Sequence, residues 1–212
     1  MARPKPESAL RFPLSTIFGN EANVRVMREL SLHGGQLSVG DLISRTSISR
    51  PPILAALATL ASLRIVTEVG TGYARLFSLN RDSPFSAPVQ ALFEAEERRF
   101  ADILAAVKEC ASRFGDKVVA AWIFGSVARR EDNASSDLDV ALITNTPDIE
   151  MVQNGSIDFL AAKGKELSFS PSINTLAITD LKRLRQSDDP LWKAFLNEGL
   201  VVLGPRPESI RM

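Results

Sequence analysis

Two apolar runs limit what this chain can become. Val118 to Phe124 is uncharged and has the length of a buried strand. The second run starts by alternating, as Asp137, Leu138 and Asp139, and continues as Val140, Ala141, Leu142 and Ile143. Between them stand Gly125 and Ser126, then a polar stretch to Ser136 that holds helix-forming and turn residues.

Gly125 closes the first run. A glycine there lets the backbone turn sharply and lets a ligand come close, while Ser126 adds a hydroxyl and an amide for phosphate oxygens. A helix beginning across Val127 to Arg130 would set those amides at its positive end. In an extended chain residues i and i+2 share a face, so Asp137 and Asp139 point together while Leu138 points into the core. Two such carboxylates repel unless a cation lies between them. Magnesium, or manganese in its place, suits the pair, because it takes hard oxygen ligands, keeps several waters and is shared with substrate phosphates. Taken singly, a Gly-Ser after a strand is an ordinary turn and an Asp-x-Asp an ordinary solvated pair. Their conjunction supplies the phosphate grip and metal clamp that nucleotidyl transfer needs.

Gly-Ser, ten residues, then Asp-x-Asp resembles the signature of the DNA polymerase beta superfamily, above all its small prokaryotic members, the minimal nucleotidyltransferases. The resemblance covers about residues 100 to 205. It implies that Gly125 and Ser126 contact nucleotide phosphates, and that Asp137 and Asp139 are the catalytic, metal-binding carboxylates. It also implies a triphosphate contact for Arg129 and a narrower pocket at Arg130, which replaces a glycine common in related motifs. Full polymerases of the superfamily carry a third carboxylate on a later strand. The corresponding run here, Ser172 to Ile178, has no acid. Its Asn174 can coordinate a metal through the side-chain carbonyl but cannot serve as a carboxylate base. Template-directed polymerisation is therefore not expected. Downstream, Thr179 is a candidate cap for a helix over Asp180 to Gln186, Pro190 opens a helix over Leu191 to Asn197, Gly199 ends it, and Leu200 to Leu203 reads as a last strand.

With 212 residues, 45% of them hydrophobic, the chain can hold two small domains. No apolar run approaches membrane-spanning length, and Met1 to Glu7 lack a signal-peptide core, so a cytoplasmic protein without a membrane partner is expected. Cys110, the single cysteine, reads as a core or helix-face residue, and His33, the single histidine, as a helix end before Gly34 and Gly35. These counts exclude a zinc ribbon. Residues 1–80 carry nine Lys and Arg against five Asp and Glu, and residues 81–212 sixteen against twenty. The basic first part therefore points to an anionic partner.

That part reads as three helices and a hairpin. Apolar positions at helical spacing run from Ile17 to Leu32; a short helix is expected over Val39 to Arg45, and a third from Ser49, whose first turn tolerates Pro51 and Pro52. Ile65 to Val69 and Ala74 to Leu79 read as strands, with Gly70 to Tyr73 as their turn. This order resembles a winged helix-turn-helix. The resemblance implies DNA as partner, with Ser47, Ser49 and Arg50 as readers at the start of the third helix and Arg75 on phosphate. A protein-interaction or dimerisation module would share the pattern.

The expected organisation is α+β. A winged helix-turn-helix over 1–80, with three helices and a two-stranded wing, is followed by a linker and long connecting helix over 81–113. A mixed-sheet nucleotidyltransferase domain over 114–205 and a tail over 206–212 complete it. The apolar stripe of the long helix, with Leu92, Phe93, Phe100, Ile103, Leu104 and Val107, can pack on the sheet or against a second subunit, while its charges read as a solvated face with local ion pairs. The expected activity is metal-dependent transfer of a nucleoside monophosphate, AMP from ATP, to a hydroxyl acceptor that small relatives find on proteins, antibiotics or RNA. Several relatives act in toxin and antitoxin pairs, so a partner protein is one acceptor. The alternative is a DNA-binding regulator or antitoxin whose second domain is inactive and only binds nucleotide or a partner.

Overall fold

The computed structural model describes residues 8, 10–72 and 75–210. A one-turn helix, α1 (Pro13–Ile17), precedes α2 (Glu21–His33). Asn20 caps α2 by accepting the Ala22 N–H at 2.8 Å, and Gly34 ends it in the left-handed region at φ 70°. A two-residue strand, β1 (Leu37–Ser38), leads into α3 (Val39–Thr46). The start of α3 is a reciprocal box: the Ser38 hydroxyl accepts the Asp41 N–H at 3.1 Å and the Asp41 carboxylate accepts the Ser38 N–H at 2.9 Å. A tight turn follows, with Ser47 left-handed at φ 57° and the Thr46 hydroxyl accepting the Ile48 N–H at 3.2 Å.

Ser49 takes the capping place before α4 (Arg50–Ser62), yet its side chain makes no capping bond. The amides such a cap binds would belong to Pro51 and Pro52, which have none to give. The hairpin of β2 (Val66–Val69) and β3 (Leu76–Leu79) turns through Gly70 and Gly72, both at positive φ. Its sheet has three strands rather than two, because Leu37 and Ser38 pair antiparallel with Phe77 and Leu76. Val26, Met27 and Leu30 of α2, Leu42 of α3, Ile53, Leu57 and Leu60 of α4, and Phe77 form one buried core.

The long helix α5 (Ser86–Ser112) runs for 27 residues, and the chain divides into two compact units between Glu97 and Arg98. Its charges are not a face of local pairs alone. Glu96 receives Arg28 through two bonds of 2.8 and 3.0 Å, and Arg99 donates to the carbonyls of Leu167 and Ser168.

The second unit follows as β4 (Val118–Phe124), α6 (Gly125–Arg129), β5 (Leu138–Thr144), α7 (Ile149–Leu167), β6 (Pro171–Ala177), α8 (Ile178–Gln186), α9 (Pro190–Glu198) and β7 (Leu200–Leu203). The strands form one mixed sheet in the order β6-β5-β4-β7. Only β5 and β6 are parallel, and α7 makes the crossover that a parallel pair requires. Alternate residues of the central strands feed two cores. Ala121, Ile123, Val140 and Leu142 meet Ile103, Val107 and Cys110 of α5 and Val152 and Leu160 of α7. Ala120, Trp122, Phe124, Ala141 and Ile143 meet Leu181 of α8 and Trp192 and Phe195 of α9. Burial on both faces is what the uncharged composition of these strands serves.

Thr179 does not cap α8. The helix starts at Ile178, and the Asp180 carboxylate closes its first turn by accepting the Ala177 N–H at 3.1 Å. Among the described residues no helix is long and apolar enough to cross a membrane.

Cys110 is completely buried, and burial pushes its thiol pKa up. In native protein it is expected to resist a water-soluble thiol reagent and to label only as the second unit unfolds. Fast, stoichiometric labelling under native conditions would contradict this packing.

Candidate active site

Antiparallel pairing places Phe124, the last residue of β4, opposite Asp139 of β5. Gly125 therefore turns immediately beside the second aspartate. It does so at φ 73°, and a Cβ built on it would lie 2.4 Å from Asp139 Oδ2. Both the backbone conformation and the close approach require glycine. Ser126 follows in the first turn of α6 and is half-buried.

The loop before β5 is closed by its own side chains. Asn133 Oδ1 accepts from the amide of Ser135 at 2.9 Å and from its hydroxyl at 2.6 Å, and the Ser136 hydroxyl accepts the Asn133 N–H at 3.0 Å. Asp137 leaves this loop exposed, whereas Leu138 is buried and starts the pairing with β6 by donating to the Ser170 carbonyl at 2.7 Å. Asp139 is half-buried. Its neighbour across the parallel pair is Ser172, and Asn174 lies one step further along the same face, opposite Ala141. Neither position supplies an acid. No group of three or more His, Cys, Asp or Glu able to hold a metal occurs among the described residues. A cation at Asp137 and Asp139 would have to complete its sphere with water and substrate oxygens, which suits magnesium.

The Gly125 turn has a neighbour that its sequence motif does not show. Glu198, the last residue of α9, accepts the Gly125 N–H at 3.1 Å and Arg129 Nη1 at 2.7 Å, both on Oε2. Arg129 Nε is also held, by Glu131 at 2.7 Å. These two hydrogen bonds, Glu131 first, raise the guanidinium pKa. A phosphate contact through Arg129 would use the nitrogen that remains. Arg130 ends α6 in the left-handed region at φ 59°, a conformation that suits glycine better than arginine. A cavity of about 690 Å3 opens along the same loop, with Asp132, Asn133, Ser135 and Ser136 on one side and the basic Arg99 and Lys165 among its other lining residues.

In the first unit, Ser47, Ser49 and Arg50 are exposed around the turn from α3 to α4. Arg50 and Arg75 line one notch of about 130 Å3, together with Ser38 and Gly72. Arg75 is partly engaged, by Glu68 at 3.2 Å. Tyr73, expected in the same hairpin turn, lies outside the described residues. Beyond Arg50 the exposed positions of α4 are Pro51, Pro52, Ala55, Ala58 and Ser62, so polar contacts from this helix have to come mainly from its start.

No curated protein matches the chain. Among solved structures, the crystal structure of NadR in complex with 4-hydroxyphenylacetate is 17% identical, with 49% of this chain and 83% of that chain covered at a TM-score of 0.33. Residues 106–207 match the family model described as Polymerase beta, Nucleotidyltransferase. The match takes in β4 to β7, the turn at Gly125 and the loop to Asp139, and this segment accordingly has a nucleotidyltransferase-like fold of the polymerase beta kind.

Proposed function

We propose that the second unit transfers a nucleoside monophosphate, AMP from ATP, to a hydroxyl acceptor in a magnesium-dependent reaction, and that the first unit binds DNA. The observation that supports the catalytic half is the close approach of Gly125, of the proposed phosphate-binding turn, to Asp139, one of the two proposed metal carboxylates. Asp137 and Asp139 would hold the metal, and Gly125 and Ser126 the triphosphate, with Arg129 at the rim. Bound magnesium, or manganese, supplies positive charge against the phosphates and the developing negative charge. The chain aligns the α-phosphate with the acceptor: the oxygen of the hydroxyl bonds to phosphorus as the bond to the departing pyrophosphate breaks. The hydroxyl proton passes to solvent or to the leaving group, since neither Ser172 nor Asn174 can take it as a carboxylate would. A partner protein is the acceptor we favour, by resemblance to small relatives that work in toxin and antitoxin pairs.

DNA binding is supported by the helix-turn-helix and hairpin order of the first unit and by the notch shared by Arg50 and Arg75. With Pro51 and Pro52 offering no amide, the Ser49 hydroxyl is left uncommitted by capping and stands beside Arg50 at the start of the proposed reading helix. The acid-free β6 favours a second reading, in which the nucleotidyltransferase-like unit binds nucleotide or a partner and the chain works as a regulator or antitoxin.

Mass spectrometry of candidate acceptors after incubation with ATP and magnesium is expected to show an added nucleoside monophosphate, absent with the Asp137→Ala, Asp139→Ala double variant. Transfer by that variant would remove the assignment. Gly125→Ala, which drives a methyl group onto Asp139, is expected to destabilise the second unit by roughly 1–3 kcal/mol in denaturant unfolding. An unchanged midpoint would show that Asp139 yields freely. Arg50→Ala is expected to weaken duplex binding about tenfold or more and to lower its salt dependence by about one ion; Arg75→Ala, already paired to Glu68, should do less. Equal affinity for wild type and both variants would count against the groove model.

A further inference from the structure

We propose that Glu198 is the positioning residue of this site, a carboxylate that holds the Gly125 turn and Arg129 in their working geometry. The inference rests on the nucleotidyltransferase reading. The Glu198 Oε2 atom receives both the Gly125 N–H and Arg129 Nη1. The turn is thereby bracketed: Asp139 Oδ2 stands where a Cβ of Gly125 would be, and Glu198 holds its amide. A left-handed glycine between a strand and a helix is free to adopt other backbone angles, so a fixed acceptor on its amide helps decide which way Ser126 is presented.

The same donors would suit a phosphate, and a carboxylate on them can be a competitor or a support. The bearer of the carboxylate decides between the two. Glu198 closes α9, and the next residue but one, Leu200, pairs with Ile123 of β4. Phe195, one turn earlier, is completely buried and packs edge-on against Phe124 with ring centroids 5.0 Å apart, and against Trp122 at 5.4 Å. At Gly199, between helix and strand, a Cβ would come within 2.4 Å of the Phe195 carbonyl oxygen. A loop or lid can carry a carboxylate away from a site as a whole. This one is tied on both sides to the strand that carries the site, and only 20% of its side chain is exposed. Arg129 balances its charge, so Glu198 and Asp139 can flank one glycine.

Amide hydrogen exchange and magnesium-ATP binding, measured on the full chain for wild type, Glu198→Gln and Glu198→Ala, test the proposal. Faster exchange in peptides covering Phe124 to Arg130, with exchange across α9 and β7 unchanged, is expected for Glu198→Ala. ATP affinity should fall about tenfold, with a smaller loss for Glu198→Gln, whose carbonyl can still accept from Gly125. Exchange that does not change in either variant overturns the clamp. Faster exchange with equal or tighter ATP binding overturns the positioning role, and tighter binding would make Glu198 a competitor of phosphate. If wild type binds no magnesium-ATP, the nucleotidyltransferase reading falls and the positioning role with it, while the exchange result still decides whether Glu198 holds the turn.

Discussion

The second unit depends on a missing side chain. Gly125 joins β4 to α6 at the point where β5 brings Asp139 alongside, and an ordinary residue would meet that carboxylate at less than van der Waals distance. The antiparallel register of β4 and β5 produces the encounter, and burial on both faces fixes the register, because a slip by one residue would exchange the two cores. The geometry of the candidate site and hydrophobic packing are here one constraint. The apolar alternation that assigns Trp122 and Phe124 to one core also assigns Asp139 to their face of the sheet.

Around that point the chain spends charge sparingly. Arg129 is shared between Glu131 and Glu198, and among the described residues no ion pair holds Asp137 or Asp139. In the proposed reaction magnesium would be shared between these carboxylates and substrate phosphates, which would couple metal uptake to substrate. The first unit shows a comparable economy at the start of α4, where two prolines remove the amides and leave side chains to make any contact with an anion.

Much of this was readable from residue order. Val118 to Phe124 is a strand over its whole uncharged run, and Pro190, Gly199 and Gly34 mark helix ends as their backbone chemistry requires. What escaped depends on tertiary pairing. The strand β1 is two residues long and exists only because Phe77 and Leu76 lie beside it. The helix α7 contains Gly155 and Gly164, which weaken any helical signal; in the fold they admit the Phe114 ring and the Phe169 carbonyl. Ser49 has the residue type and place of a cap, but the amides it would bind belong to two prolines. Glu198 carried one local cue, a Glu-Gly at a helix end before an apolar strand. Its meaning rests on β7 pairing with β4, and no local pattern reports which strands become neighbours.

The hydrogen bond from Gly125 to Glu198 spans 73 residues, one of the longer loops this unit closes. Contacts of such separation carry a larger loop-closure cost than local helices or the β4–β5 pair. A chain still being synthesised would hold both aspartates and the Gly-Ser turn well before β7 arrives to complete the cradle. A chain cut short before the end of α9 would carry the motif without the carboxylate that holds its turn.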